Sequence, residues 1–351
     1  MNLDFWEGKR VFLTGHTGFK GAWLSLWLEH LGARVTGYAL APDTKPSLFE
    51  VLGSSPALSS HIGDLTDEGR LESALHSANP EIVVHMAAQA LVRASYRAPV
   101  ETWITNVVGT ARLLQAARDL HEVRAILVVT SDKVYQHGST DRAFVESDQL
   151  GGHDPYSASK AAQEMVTASF AASYLERAGV RVGSARAGNV VGGGDWAADR
   201  LVPDVVRALV SRQVIRLRSP QATRPWQFVL DPLAGYLEYA RMLFIGADVP
   251  SSLNFGPTSP SVTVLTIVSQ LASHFGLDPQ SCWSPDRDQE WAEQDALELD
   301  ASAARESLNW NLRLELDETL SWTADWYQAH IADDNMREFS LRQIERFTDK
   351  T

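Results

Sequence analysis

Two positions on one predicted helix combine a hydroxyl and an amine in an arrangement suited to proton transfer. Tyr156 and Lys160 are four residues apart, behind Asp154 and Pro155, which is an order of residues that begins a helix. The two side chains therefore share one helix face. A neighbouring ammonium group lowers the pKa of a tyrosine, so Tyr156 is a candidate acceptor of a substrate hydroxyl proton. The same spacing also occurs by chance, as a surface pair.

A second group of reactive side chains follows a predicted strand. Ser131, Asp132 and Lys133 supply in turn a hydroxyl, a carboxyl and an amine, and such groups act as general acids and bases. Lys133 has to be neutral to act as a base, and nearby positive charge together with partial burial favours that form. Taken alone, Asp132 and Lys133 are equally consistent with a neutralised ion pair at a strand end.

Three glycines stand between the first predicted strand and the helix after it. Gly15, Gly18 and Gly21 lie in the sequence TGHTGFKG. Their spacing allows a tight turn, close approach of the backbone to a pyrophosphate, and tight packing of helix on strand. The helix start adds unpaired N–H groups that attract phosphates. The pattern predicts dinucleotide binding, although glycine turns between strands and helices are also common without it.

The second predicted strand decides which dinucleotide is favoured. It ends at residues 38–41 without the acidic residue that commonly holds the ribose of NAD, and Asp43 lies slightly later. No arginine stands there to bind a 2′-phosphate, although Lys45 is close, so NAD is predicted. Asp64, behind the third predicted strand, is equally consistent with a contact to the adenine amino group and with a helix N-cap.

Short apolar runs alternate with helical patterns through the first half of the chain. These predict a helix at residues 21–31, a strand-like segment ending at 63–65, and strands at 10–15, 34–40, 82–88, 125–130 and 180–185. The runs do not alternate with polar residues, which is typical of strands buried on both faces. The predicted fold class is α/β, a Rossmann-type doubly wound parallel sheet with a smaller mixed C-terminal substrate-binding lobe.

The same pattern divides the chain into two lobes. Residues 1–190 are predicted to form the dinucleotide-binding domain, and residues 228–257 to return to it as a helix (232–244) and a strand (252–257). Residues 191–227 and 258–351 are predicted to form the substrate-binding lobe and a C-terminal tail. Residues 335–350 of that tail have the pattern of an amphipathic helix.

Composition and charge argue against several classes of function. The 351 residues are 44% hydrophobic and 21% charged, and a net charge of −13 would repel a nucleic acid backbone. The sequence has no apolar run of membrane-spanning length, and its first residues lack the layout of a secretory signal. A single cysteine, Cys282, favours the reducing cytoplasm. No metal site, membrane partner or nucleic acid partner is predicted.

The glycine motif and the tyrosine–lysine pair together resemble the extended short-chain dehydrogenase/reductase family over nearly the whole chain. Family members also carry an alanine-rich segment after the fourth strand, here HMAAQ at residues 85–89, and an asparagine on the next helix, here Asn106. The resemblance implies an NAD-dependent enzyme, in which Lys160 holds the nicotinamide ribose. The implied cofactor site consists of Gly15, Thr17, Gly18, Phe19, Gly21, Asp64, Leu65, Ala87, Ala88, Asn106 and Lys160. Members commonly pair through two long helices, which implies a homodimer or a higher homo-oligomer.

The sequence from Ser131 to Lys133 narrows this resemblance. Epimerases of the family have small hydroxyl or alanine residues at the last two positions, and other nucleotide-sugar 4,6-dehydratases have Thr-Asp-Glu. The CDP-glucose 4,6-dehydratases resemble this chain in having lysine last. That subfamily is also similar in the stretches TGHTGFKGAWLSLWL, PSLFE, AGNVVGGGDW, RPWQFV, NFGP and FSLRQIERF. The match is poorest at residues 134–151, so the loop expected to cover the active site could differ.

The resemblance implies a lyase of deoxysugar biosynthesis that converts CDP-glucose to CDP-4-keto-6-deoxyglucose with tightly bound NAD. Its expected catalytic residues are Ser131, Asp132, Lys133, Tyr156 and Lys160. Its expected substrate-binding residues are Gln89, Arg186, Asn189, Arg200 and Arg224. Guanidinium groups match phosphate oxygens, although the arginines could instead be surface salt-bridge partners. The alternatives are a nucleotide-sugar epimerase, a dehydratase acting on dTDP-, UDP- or GDP-glucose, and a non-catalytic dinucleotide-binding protein.

Overall fold

The computed structural model describes residues 2–136, 142–286 and 298–350. The strands are β1 (Arg10–Thr14), β2 (Arg34–Ala39), β3 (Leu58–Ile62), β4 (Ile82–His85), β5 (Ala125–Val129), β6 (Arg181–Ala187), β7 (Val190–Val191), β8 (Ile215–Leu217), β9 (Thr223–Arg224), β10 (Gln227–Phe228), β11 (Ser252–Phe255), β12 (Val262–Thr263) and β13 (Trp283–Pro285). The α-helices are α1 (Phe19–His30), α2 (Leu48–Leu52), α3 (Glu68–Ala78), α4 (Val92–Arg97), α5 (Pro99–Trp103), α6 (Gly109–Ala117), α7 (Pro155–Phe170), α8 (Leu201–Val210), α9 (Leu230–Phe244), α10 (Val264–His274), α11 (Ser302–Leu308), α12 (Leu316–Ile331) and α13 (Met336–Thr348).

Seven strands form the central sheet in the order β3-β2-β1-β4-β5-β6-β11, and all neighbouring pairs are parallel. The order reverses between β1 and β4. In open sheets of this kind, ligands bind in the crevice outside the carboxyl ends of the strands at such a reversal. The doubly wound parallel sheet predicted from the sequence is confirmed.

Alternate residues of the central strands enter two separate apolar layers. Val11 and Leu13 of β1 belong to the larger layer, while Phe12 between them belongs to the smaller one. The same alternation holds in β5, where Leu127 and Ile126 point to opposite faces of the sheet. Helices therefore cover both faces, which explains why these strands are apolar throughout their length.

The fourth strand ends earlier than the apolar run predicted. The run extends to residue 88, but β4 ends at His85. The N–H of Met86 donates to the carbonyl oxygen of Thr14, and the N–H groups of Met86 and Ala87 donate to the Thr14 hydroxyl. These bonds fasten the chain to the end of β1, and the ladder stops here because β1 itself ends at Thr14.

The second half of the chain returns to the sheet as predicted. The last strand of the sheet is β11, which pairs with β6, and α9 supplies Leu233, Leu237 and Ala240 to the larger apolar layer. The tail forms helix α13, which packs on α1 through the Trp27 and Phe347 rings (5.7 Å) and the Arg337–Glu29 ion pair (2.6 Å). The division of residues into two domains stays a prediction.

Candidate active site

The glycine turn after β1 has a backbone that only glycine fits. Gly15 has a φ of 79°, and a Cβ at this position would lie 2.7 Å from the backbone nitrogen of Ala87. A Cβ on Gly21 would collide with the carbonyl oxygen of Gly15. The turn therefore packs directly against the chain that leaves β4, and its backbone is open to close approach by a ligand.

Helix α1 begins behind that turn without a side-chain cap. Its N-cap is Gly18 and its first residue is Phe19. The uncapped N–H groups and the helix dipole attract negative charge, so the residues present fit a dinucleotide pyrophosphate. Thr17 ties the turn to the end of β2, since its hydroxyl donates to the carbonyl oxygen of Leu40 (2.8 Å).

The structure after β3 separates the two interpretations of Asp64, an adenine contact and a helix N-cap. The N-cap of α3 is Asp67, which accepts from the N–H of Arg70, so the helix N-cap interpretation of Asp64 is wrong. Asp64 instead accepts from the N–H of Thr66 (2.7 Å) in a local turn, and its carbonyl oxygen accepts from the Tyr38 hydroxyl (2.8 Å). Asp64 is exposed and Leu65 beside it is buried, and the adenine contact stays a prediction.

Asn106 holds the loop that follows β4. It is fully buried in a π-helical turn, Ile104–Val108. Its side chain bonds both the N–H (2.8 Å) and the carbonyl (3.1 Å) of Gln89, and it donates to the Ser159 hydroxyl (2.9 Å). The side chain of Gln89 is in turn bonded to Leu91 and Thr102. Asn106 therefore shapes the half-buried segment at Ala87 and Ala88, where the cofactor contact is predicted.

The structure brings the predicted catalytic side chains together at the end of β5 and the start of α7. Ser131 donates to Oδ1 of Asp132 (2.8 Å) and accepts from the N–H of Lys133 (3.2 Å), which begins a short 3-10 turn. Asp132 is 6% exposed and Tyr156 is 8% exposed, so both side chains are nearly buried. Lys133 is half-buried.

Burial sets the acidity of Tyr156. It raises the pKa of the hydroxyl to about 12, while a hydrogen bond with Ser131 lowers it, the Asp132 charge raises it and the Arg200 charge lowers it. The lowering expected from Lys160 together with an oxidised nicotinamide concerns the cofactor-bound protein and stays a prediction. The Ser131 contact places the two hydroxyls where they can share one substrate oxygen.

Lys160 is buried one helical turn beyond Tyr156. Its Nζ donates to Oε1 of Gln163 (2.9 Å) and lies 3.5 Å from the carbonyl oxygen of Val129. The pKa of Lys160 is lowered to about 7, chiefly by burial and then by the Lys20 charge, while the Glu164 charge opposes the shift.

Lys20 is a residue of this site that the sequence patterns did not single out. It lies in the first turn of α1, within the glycine motif, and its Nζ is 5.9 Å from the centre of the Tyr236 ring. Its pKa is lowered to about 8, chiefly by burial and then by the Arg200 charge, while the Asp132 and Asp195 charges oppose the shift. The available signal was a lysine inside the glycine motif TGHTGFKG.

Arg186 is not placed to bind a substrate. It is 3% exposed, and its guanidinium is bonded to Glu164 through Nε (2.9 Å) and Nη2 (2.8 Å). Its Nη1 donates to the Tyr135 hydroxyl (2.8 Å) and to the carbonyl oxygen of Glu146 (3.1 Å). We therefore withdraw it from the predicted substrate-binding set, because its donors are already used inside the fold.

The other two arginines belong to residues 191–227, predicted for the substrate-binding lobe, and have different surroundings. Arg200 pairs with Asp195 (2.8 Å), and its charge reaches Tyr156 and Lys20. Arg224 lines a cavity of about 290 Å³ together with Trp226 and Glu315. The rest of that cavity wall is Pro257, Ser259, Pro260, Val262, Leu312, Leu314 and Leu316.

Asn189 follows β6 at the same edge of the sheet as the catalytic cluster. A Cβ added to the neighbouring Gly188 would lie 3.3 Å from Oδ2 of Asp132, so this segment is close to the predicted acid. The backbone of Asn189 accepts from the N–H of Gln227 (3.1 Å). Asn189 is therefore held near the cluster, and its contact with a substrate stays a prediction.

Metal-ligand clusters and membrane-spanning helices are two further features that define the kind of site. Among the described residues, no group of three or more histidine, cysteine, aspartate or glutamate side chains has a metal-binding arrangement. Likewise, none of the helices in the described ranges has the length and apolar character needed to cross a membrane. Residues 137–141 of the loop expected to cover the site lie outside the described residues.

A tyrosine, a serine, a carboxyl and two lysines at the end of β5 and the start of α7, beside a dinucleotide turn, can move protons while a bound dinucleotide would accept the hydride of an alcohol. Comparison with known proteins places this chemistry. The chain is 44% identical to a CDP-glucose 4,6-dehydratase of Salmonella typhimurium, over 100% of this chain and 99% of that protein. It superposes on MoeE5 in complex with UDP-glucose and NAD, with a TM-score of 0.76 and 26% identity over 92% of this chain and 100% of the other.

A dTDP-glucose 4,6-dehydratase from Streptomyces venezuelae, DesIV with NAD and TYD bound, shares the fold. Its TM-score is 0.79 at 24% identity, over 93% of this chain and 98% of that one. The model of the NAD dependent epimerase/dehydratase family matches residues 11–245. With the glycine turn, the parallel sheet and the tyrosine–lysine pair in place, the chain belongs to this NAD-dependent family.

Proposed function

We propose that this protein is a 4,6-dehydratase that converts CDP-glucose to CDP-4-keto-6-deoxyglucose. The observation that carries the proposal is the cluster of Ser131, Asp132 and Lys133 beside Tyr156 in one buried cleft, within a chain 44% identical over its full length to a CDP-glucose 4,6-dehydratase. Bound NAD supplies the hydride acceptor for C4 of the sugar and the hydride donor for C6.

The chain's own residues supply the proton transfers. Tyr156 accepts the C4 hydroxyl proton, and Ser131, to which it is hydrogen-bonded, binds the same oxygen. The resulting C4 ketone acidifies the C5 proton, which Lys133 removes. Asp132 gives a proton to the departing C6 hydroxyl, so that water leaves and a C5–C6 double bond forms. A proton returned to C5 completes the product, with no net oxidation.

Binding of the sugar nucleotide is assigned to the second lobe. Arg200 brings positive charge to the catalytic cluster, and Arg224 brings it to the neighbouring lobe's cavity. Guanidinium groups suit diphosphate oxygens because they present paired donors. The apolar remainder of the cavity, with Trp226, suits a flat nucleotide base. The choice of cytosine rests on the full-length relative.

The competing functions make different products. An epimerase would use Tyr156 and Lys160 alike, but it needs no acid and base at Asp132 and Lys133. A dehydratase for dTDP-, UDP- or GDP-glucose would differ only in the base pocket. A non-catalytic binding protein is disfavoured because the tyrosine and both lysines are present and enclosed in the cleft.

The deciding experiment incubates the purified protein with CDP-glucose and NAD and follows the product by mass. The proposal expects the loss of one water without net formation of NADH, and a folded Tyr156→Phe variant should lack the reaction. A product of unchanged mass would make the protein an epimerase. Reaction only with UDP- or dTDP-glucose would retain the dehydratase and reject the base.

We also infer that two copies pair through a helical face. Apolar side chains on α4 to α7 and the turn after α7 are 40–63% exposed, and these are Tyr96, Val100, Trp103, Ile104, Val108, Met165 and Tyr174. Val100→Asp should then yield a monomer by sedimentation, while Val210→Asp, at the exposed last residue of α8, should leave the assembly intact. A monomeric unaltered protein would reject the pairing. The cytoplasmic location stays a prediction.

A further inference from the structure

A line of five buried polar side chains connects the glycine turn to the catalytic lysine. The line consists of Thr14, His85, Thr110, Gln163 and Lys160, all between 0 and 3% exposed. Successive polar atoms along it are 2.7, 2.8, 2.9 and 2.9 Å apart. Buried polar groups are costly unless bonded, so such a complete line fixes the orientation of each member.

The hydrogen atoms of this polar line can be assigned by counting donors and acceptors. The hydroxyl of Thr110 donates to the carbonyl oxygen of Asn106 (2.7 Å), which uses its single hydrogen. Thr110 Oγ1 must therefore accept from both Nε2 of His85 and Nε2 of Gln163. His85 then carries its hydrogen on Nε2, and its Nδ1 accepts from the hydroxyl of Thr14.

The same counting fixes the amide of Gln163. Because Nε2 is bonded to Thr110, Oε1 must face Lys160, where it accepts from the ammonium group. A flipped amide would point two N–H donors at a cation. His85 supports this orientation. Its Nε2–H donates to Thr110 Oγ1, so that oxygen acts as an acceptor on this side of the line.

We propose that Gln163, oriented by Thr110 and His85, is the positioning residue that fixes the ammonium group of Lys160 for the reaction. This proposal rests on the proposed function for the role of Lys160, but the hydrogen-bond directions do not. Burial, followed by the Lys160 charge, lowers the pKa of His85 to about 3, so the imidazole stays neutral and adds no second charge to the line. Thr14 also receives the N–H groups of Met86 and Ala87, so the line joins Lys160 to the cofactor turn.

Three elements contribute other ionisable groups near Lys160. Lys20 approaches from α1, Glu164 lies on the same helix α7, and neutral His85 belongs to β4. None of these donates to or accepts from Nζ within the described residues, whereas Gln163 does so at 2.9 Å. A change at Gln163 should therefore alter the proton affinity of Lys160 more directly than a distant structural change.

The first experiment compares Gln163→Met with Gln163→Glu in the NAD-loaded enzyme. Gln163→Met removes the acceptor, so the alkaline limb of the kcat–pH profile should move down by about one pH unit, and kcat should fall roughly 10- to 100-fold with little change in sugar-nucleotide KM. Gln163→Glu places a carboxylate beside Nζ and should move the same limb up by about one unit or more. Gln343→Met, a buried glutamine on α13 bonded to the Trp322 carbonyl, is the matched control and should move neither.

Limbs that stay unmoved, or that move in the same direction in both variants, would overturn the proposal. The second experiment does not need the assumed substrate. Nitrogen-15 NMR of histidine-labelled protein, with the signal assigned by its loss in His85→Gln, should show a neutral imidazole with its proton on Nε2. A proton on Nδ1 would overturn the orientation of Gln163, even if the protein dehydrates CDP-glucose. The Nε2–H form together with no dehydratase activity would reject the proposed function alone.

Discussion

Glu164 and Arg186 form a two-pronged ion pair inside the fold, with N–O distances of 2.9 and 2.8 Å. Glu164 lies one helical turn beyond Lys160, and its Oε1 also accepts from the Thr130 hydroxyl (2.6 Å). The pair thus ties α7, which carries Tyr156 and Lys160, to strands β5 and β6. Its role is to fix the helix on the sheet.

Removal of one partner of this pair should cost stability rather than substrate affinity. Arg186→Leu leaves the carboxylate of Glu164 buried without its partner, and breaking such pairs costs about 3–5 kcal/mol of unfolding free energy. Urea denaturation should show this loss, and the double change Arg186→Leu with Glu164→Leu should restore part of it. An equally stable Arg186→Leu protein with a raised KM for sugar nucleotide would return Arg186 to the substrate site.

Arg186 also shows where sequence reasoning fails. An arginine at the end of a strand near a predicted cleft looks the same whether it faces a ligand or a carboxylate. Its partner stands 22 residues earlier on a helix, and only packing reveals that both side chains point into the fold. The N-cap interpretation of Asp64 was wrong for a smaller reason. A local turn displaces the helix start, so the N-cap is Asp67.

The fold and the glycine turn were predictable because each depends on local patterns. Runs such as residues 125–130 indicate strands buried on both faces, and glycine spacing reports backbone contacts such as that of Gly15 with Ala87. The polar line through Thr110 and Gln163 was not predictable, since its members come from separate elements and no local pattern joins them.

Arg224 should act on the sugar nucleotide alone. Arg224 lines the cavity of about 290 Å³, whose wall includes no residue of the glycine turn. Charged hydrogen bonds contribute about 1.5–3 kcal/mol, so Arg224→Ala should weaken sugar-nucleotide binding roughly 10- to 100-fold in titration calorimetry. NAD affinity should be unchanged. The control is Arg216→Ala, an exposed arginine of the same lobe, and equal loss of both ligands in Arg224→Ala would indicate a folding defect.

Lys133 should be needed for the loss of water but not for the first oxidation. Lys133→Met removes the proposed base at C5 while Tyr156 and Ser131 remain hydrogen-bonded. Removal of a general base commonly costs about 10²- to 10⁴-fold, so NADH should accumulate on the enzyme and its absorbance should persist. Exchange of the C5 proton with deuterium oxide should also stop. A variant that neither accumulates NADH nor loses this exchange would show that another group is the base.

The buried lysines should make the stability of the cofactor-free protein depend on pH. The pKa of Lys160 falls from 10.5 to about 7 on folding, chiefly through burial, so between these values the unfolded chain binds a proton that the folded chain does not. Stability therefore rises with pH through this window and is lost as pH falls towards 7. Lys160→Met removes that titration. The amount by which its free energy of unfolding exceeds that of the unaltered protein should therefore be largest near pH 7 and should decline towards pH 10.5.

Lys20 provides the test that this slope belongs to a shared site. Because the Lys20 charge lowers the pKa of Lys160, Lys20→Met should raise that pKa. The pH range over which Lys160 makes stability depend on pH should then begin at a higher pH. Lys350 on the tail, paired with Glu318, is a suitable control, because 30% of its side chain is exposed and Lys350→Met therefore relieves little burial. Urea unfolding at several pH values measures all three variants. Parallel pH slopes in the unaltered protein and in Lys160→Met would show that Lys160 keeps its ordinary proton affinity in the fold.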